Sequence, residues 1–91
     1  MKKIVAVCGM GIGTSVLLKM NIEKILRELD IDADVEAADI GVARGAARTA
    51  DLVLTSDELA EELGDVPAKV VVIKNFTNLA EIRTALEEFS N

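Results

Sequence analysis

Ile4-Val5-Ala6-Val7-Cys8-Gly9-Met10-Gly11-Ile12-Gly13-Thr14-Ser15 is the stretch on which the reading of this chain turns. Its first four residues are apolar without interruption and mostly β-branched, the pattern of a strand buried on both faces of a sheet. The run stops at a cluster holding three of the chain's six glycines. Beyond it, Leu18, Ile22, Ile25, Leu26 and Leu29 recur at helical spacing. Lys19, Glu23, Lys24, Arg27 and Glu28 fill the other side, with Glu23/Arg27 and Lys24/Glu28 set as i,i+4 pairs. A buried strand, a glycine turn and a long amphipathic helix opening near Thr14 begin a βαβ unit, and such units build parallel sheets.

The rest of the chain continues the alternation. From Ala33 to Ala38 the pattern puts Asp34 and Glu36 outward and Ala33, Val35 and Ala37 inward, as in a half-exposed edge strand. Gly41 to Arg48 is short and Ala-rich and supports a helical turn or two. Leu52-Val53-Leu54 reads as the third strand. Ser56-Asp57-Glu58 then caps a short helix carrying Leu59 and Leu63 that stops at Gly64. Val66-Pro67 marks a turn, and Val70-Val71-Val72-Ile73 is the fourth strand. Asn78 and Glu81 resemble a capping box opening a last helix with Leu79, Ile82, Leu86 and Phe89 inward. The expected fold is therefore α/β: a three-layer, open four-stranded parallel sheet, Rossmann- or flavodoxin-like. With the half-exposed second strand as an edge beside the first, the strand order is 2-1-3-4. Ligands in such sheets bind beyond the C-terminal strand ends at the point where the chain reverses direction, and the glycine cluster falls there. No repeat, linker or low-complexity tract interrupts residues 1–91, which read as a single domain.

Composition narrows the chemistry. The chain has 91 residues, 51% of them hydrophobic, enough for one core without disulfides or a structural metal. It has no His and one Cys, so the common zinc sets, His-dependent triads, His general bases and disulfide frameworks are excluded. The reading calls for no metal and no cofactor. A net charge of −6 opposes binding to nucleic acid or to an anionic membrane. The charge is uneven, however: residues 1–29 hold five basic residues against two acidic ones, and the remainder five against fourteen. An anion should be handled near the N-terminus. No apolar run approaches the roughly 18 residues of a membrane span, and the run after Met1-Lys2-Lys3 is too short for a signal segment. A cytoplasmic location with a reduced thiol is the expectation.

The loop itself carries the functional argument. Glycines at alternate positions allow successive N–H groups to turn inward as an anion nest. The helix that follows adds unpaired donors and the positive end of its dipole. A thiol at the loop's first position lies in that same field, which lowers a cysteine pKa from about 8.5 to roughly 3.5–7.5 and makes a thiolate nucleophile. Each element has a plainer reading: Cys8 as a small buried hydrophobe, the glycines as a tight turn, Ser15 as a helix cap. Known phosphate motifs fit poorly. GxGxxG fails because Thr14 stands at the third glycine position, and no Gly-Lys-Ser/Thr is present for a Walker A loop. Asp39, after the second strand, is placed as a ribose-binding acid would be, which keeps a nucleotide module as an alternative. The outline of low-molecular-weight tyrosine phosphatases, Cys, five residues, Arg, Ser, fits better, with Thr14 in place of the Arg. The Asp-Pro that supplies their general acid is absent as well, since Pro67 follows Val66. Without either group the loop can accept a phosphoryl group and hold it but is poorly equipped to hydrolyse it.

At these residues the chain resembles the enzyme IIB subunits of the bacterial phosphoenolpyruvate-dependent sugar phosphotransferase system. Cys-Gly-Met-Gly-Ile-Gly-Thr-Ser after Lys-Lys-Ile-Val-Ala-Val is most similar to the ascorbate type, with galactitol, mannitol and lactose/cellobiose types more distant. The resemblance implies that Cys8 takes a phosphoryl group from a phosphohistidine on enzyme IIA. Cys8 then passes it to a sugar or polyol bound by the membrane permease, enzyme IIC. Gly9, Met10, Gly11, Ile12, Gly13, Thr14 and Ser15 would form the phosphate-binding loop. Thr55, Ser56 and Asp57 should border the same switch point, with Arg44 and Asn75 weaker candidates. Met10 and Ile12 are apolar residues on the loop that a docking partner would cover. The competing class is a phosphate- or nucleotide-binding signalling module of the same fold, without covalent chemistry.

Overall fold

The computed structural model describes residues 2–7, 12–75 and 77–90, and their side chains apart from those of residues 12–15 and 90. Four strands alternate with four helices: β1 (Lys2–Val7), α1 (Ile12–Glu28), β2 (Ala33–Ala38), α2 (Ile40–Ala47), β3 (Leu52–Thr55), α3 (Asp57–Leu63), β4 (Lys69–Val72) and α4 (Leu79–Ser90). The strands form one parallel sheet in the order β2-β1-β3-β4. This is the order expected from the half-exposed pattern of β2 and the continuous apolar run of β1.

Strand periodicity divides the core into two layers. Ile4 and Ala6 of β1, Val35 of β2 and Leu52 and Leu54 of β3 pack against Leu18, Ile22, Ile25 and Leu26 of α1 and Ile82, Ala85 and Leu86 of α4. The alternate residues Val5, Val7 and Val53 pack against Ala43 and Ala47 of α2 and Leu63 of α3. Residues Ile4–Val7 are buried throughout because both faces of β1 are covered. At the edge, Glu36 of β2 reaches Lys3 at 3.2 Å rather than a helix.

Helix ends account for several boundaries. α1 closes in a Schellman arrangement: the Ile31 N–H donates to the Leu26 carbonyl at 2.9 Å and the Asp30 N–H to the Arg27 carbonyl at 3.3 Å. Asp30 takes the left-handed position at φ 57°. α3 ends at Gly64, whose φ of 69° suits a residue without Cβ. α2 is a full two turns despite Gly41 and Gly45, because Asp39 caps its start and Ala43 and Ala47 bury against the sheet. α1 begins at Ile12, two residues before the Thr14 start that the sequence pattern implies. Leu79 is half-exposed rather than inward, since it opens α4 at the edge where the strands have already ended.

Candidate functional site

Parallel βαβ topology brings the C-terminal ends of the strands and the N-termini of the helices to one edge of the sheet. β1 ends at Val7 and α1 starts at Ile12, so the Cys loop joins them at that edge, with β2 on one side of β1 and β3 on the other. This is the switch point. Val7 pairs with Ala38, so β1 and β2 leave the sheet at the same level, and Asp39 follows immediately. Cys8, Gly9, Met10 and Gly11 lie outside the described residues. Ile12, Gly13, Thr14 and Ser15 form the first turn of α1.

That placement changes what the last four loop residues offer. The first four N–H groups of an α-helix have no acceptor within it, so those of Ile12 to Ser15 are donors of the helix end. Ser15 is the fourth helical residue, which removes it from the N-cap role. The turn contains no acidic side chain, whereas Asp57 and Glu58 stand in the first turn of α3 and Glu81 in that of α4. α2, α3 and α4 spend their own side chains on capping. Asp39 Oδ1 accepts from the Val42 N–H at 3.0 Å, Ser56 Oγ from Leu59 N–H at 3.4 Å, and Asn78 Oδ1 from Glu81 N–H at 3.2 Å. Of the four helices, α1 alone is preceded by a glycine-rich segment with a cysteine.

The neighbouring candidates separate clearly. Thr55 is buried at the end of β3, and its hydroxyl donates to the Val7 carbonyl at 3.3 Å. Ser56 caps α3 and Asp57 is exposed in the turn that follows. Arg44 donates to the Glu62 carbonyl at 2.5 Å, tying α2 to α3. Asn75 shapes its own turn, accepting from the Thr77 N–H at 3.0 Å and the Thr77 hydroxyl at 2.7 Å. Asp39, the acid on which a ribose-binding alternative depends, is engaged as a helix cap.

Two features escaped the sequence reading. The Glu81 carboxylate accepts from the N–H groups of Lys74 at 2.7 Å and Asn75 at 3.1 Å, so it fastens the β4–α4 connection rather than closing the capping box on Asn78. The other is an apolar rim. Val16, Leu17 and Met20 of α1, Val42 of α2, Val72 of β4 and Leu79 of α4 are exposed, Met20 by 59% and Val42 by 57%. Val42 and Leu79 stand in the first turns of their helices and Val72 is the last residue of β4, at the edge where β1 leads into α1, while Val16, Leu17 and Met20 run along α1 from its second turn to its third. The signal was present in α1: Val16 and Met20 fall about half a turn from the Leu18/Ile22/Ile25 stripe, where an isolated amphipathic helix carries polar residues.

A strand, a glycine-rich segment that opens on a cysteine, and a helix start at the switch point of a 2-1-3-4 parallel sheet define a class: α/β domains of flavodoxin-like fold. Comparison with known proteins narrows this. Residues 3–88 match the family model described as "PTS system, Lactose/Cellobiose specific IIB subunit". The Ascorbate-specific PTS system EIIB component of Mycoplasma pneumoniae is 40% identical over 86 residues, covering 93% of this chain and 90% of that protein. Its Salmonella typhimurium counterpart of the same name is 31% identical over 87 residues, covering 94% and 86%. Among solved structures, the lactose-specific IIB component domain from Streptococcus pneumoniae superposes with a TM-score of 0.67 at 15% identity, covering 99% of this chain and 98% of that one. That likeness concerns the fold. The chain belongs to the IIB family of the sugar phosphotransferase system, whose members take part in phosphoryl transfer during sugar uptake. No helix among the described residues is long and apolar enough to cross a membrane.

Proposed function

We propose that this chain is a phosphocysteine carrier, with Cys8 accepting a phosphoryl group from a phosphohistidine on enzyme IIA and delivering it to a substrate bound by the permease IIC. The observation that supports this most strongly is that the Cys8–Ser15 segment runs from the end of β1 into the first turn of α1 in a chain that matches the IIB family over almost its whole length. In the first step the Cys8 thiolate attacks phosphorus in line, the P–N bond breaks and the imidazole leaves with its electron pair. In the second, a substrate hydroxyl attacks, the P–S bond breaks and the thiolate departs, while the hydroxyl proton passes to a base at the acceptor site. N–H groups from Gly9 to Ser15 hold the phosphoryl oxygens in both steps, and the Thr14 and Ser15 hydroxyls are further donors.

The same reading gives the apolar rim a purpose. Donor and acceptor must each bring a reacting atom to one loop, so the surface around it serves two partners in turn, and exposed apolar side chains suit that use. The names of the relatives favour ascorbate as the substrate delivered, and the carrier works on the cytoplasmic side of its permease. The test is reconstitution: label from phosphoenolpyruvate should reach ascorbate taken up by IIC-containing vesicles only when this protein is added with IIA. Uptake and labelling in its absence would refute the proposal.

A further inference from the structure

Among the described residues, Thr55 is the only polar or charged residue that is buried, at 0% exposure. It faces the layer of Val5, Val7 and Val53, an apolar setting in which valine would fill the same space without a hydroxyl to satisfy. Packing alone therefore gives no reason for a threonine. What the hydroxyl adds is its bond to the Val7 carbonyl, 3.3 Å away across the β1–β3 boundary and one residue beyond the last pair in that register, Ala6 with Leu54. Thr55 is itself held firmly. It pairs with Val72 of β4, its carbonyl accepts from the Ile73 N–H at 2.8 Å, and the next residue caps α3.

The Val7 carbonyl belongs to the peptide unit that leads into Cys8, and that unit is planar, so a bond to its oxygen orients the nitrogen and Cα of the next residue together. We infer that Thr55 is a positioning residue for Cys8, fixing the last peptide of β1 so that the thiol enters the loop in the orientation that phosphoryl transfer requires. The inference rests on the reading of Cys8 as phosphoryl acceptor. Thr55 acts through Val7 and touches no reacting atom. It is distinct from Ser56 and Asp57, whose groups are spent on α3 or face solvent.

Thr55→Val and Thr55→Ser in the full chain test this with two readouts: the pH dependence of Cys8 alkylation by iodoacetamide, which needs no partner, and the single-turnover rate of phosphoryl uptake from phosphorylated IIA. Thr55→Val should fold, shift the alkylation profile to higher pH and slow uptake by about tenfold, because small misplacements of a nucleophile are costly. Thr55→Ser should restore both. A Thr55→Val protein matching the parent in both readouts would overturn the inference, as would a folded Thr55→Ser protein behaving like Thr55→Val. A parent that takes up no phosphoryl group would defeat the carrier reading, while the alkylation profiles would still decide whether Thr55 governs the thiol. Should Thr55→Val not fold, NMR of the parent decides. A slowly exchanging Thr55 hydroxyl proton coupled to the Val7 carbonyl carbon supports the inference, and a freely exchanging one overturns it.

Discussion

At Cys8 the proposed chemistry needs a thiolate that attacks phosphorus and later departs from it. An alcohol does neither well at neutral pH. Cys8→Ser should abolish phosphoryl uptake with the melting temperature nearly unchanged, and intact-protein mass after incubation with phosphorylated IIA checks it. In the proposed chemistry Thr14 bears on the lifetime of the phosphorylated form. Hydrolysis gathers negative charge on the equatorial oxygens, and a forked guanidinium neutralises it where a hydroxyl does not. Thr14→Arg should therefore shorten the life of the phosphoprotein, followed as phosphate released without IIC. An unchanged half-life would shift the protection to water exclusion. Asp30 tests a conformational claim: at φ 57° a side chain is strained in a way that glycine is not. Asp30→Gly should stabilise the fold by about 0.5 kcal/mol in urea unfolding, the relief being partly offset by a freer unfolded chain.

Helix α1 carries two opposed stripes, and only one has a partner within the fold. Leu18, Ile22 and Ile25 bury against the sheet, while Val16 and Met20 are exposed on the first half of the helix. Met20→Glu should leave stability within about 0.5 kcal/mol, as surface changes do, yet slow phosphoryl uptake from IIA several-fold, mainly through a raised KM. The inner stripe was legible in the sequence because periodicity reports burial. The outer one was not, because a helix pattern does not say whether an apolar residue off the stripe meets a partner. α2 was legible as a helical turn or two but not as eight residues: Gly41 and Gly45 weaken its propensity, and the cap at Asp39 and burial of Ala43 and Ala47 decide its extent. Glu81 stands where a capping box wants it, but its carboxylate finds the nearer free N–H groups of Lys74 and Asn75.

The whole molecule is a sheet sandwiched by two helix layers, and its strand order was readable because the edge strand β2 alternates while β1 does not. Ile22, fully buried under β1 and β2, contributes to the layer that seats α1, and Ile22→Ala should cost about 2–5 kcal/mol in urea unfolding. The candidate site was legible as a motif, since a nucleophile, glycines and a helix start follow one another along the chain. Of its surroundings, Thr55 was legible as a residue bordering the switch point, but its bond to the Val7 carbonyl and the exposed apolar residues were not, because they follow from the three-dimensional register of β1 and β3 and from which helix faces meet no partner. The central claim is that this edge carries a phosphoryl group on sulfur. Incubating the protein with phosphoenolpyruvate, the general relay proteins and IIA, then mapping the modified peptide by mass spectrometry, tests it most directly. The account predicts one phosphoryl group per chain, on Cys8; an unmodified chain, or a phosphoryl group on any other residue, would contradict it.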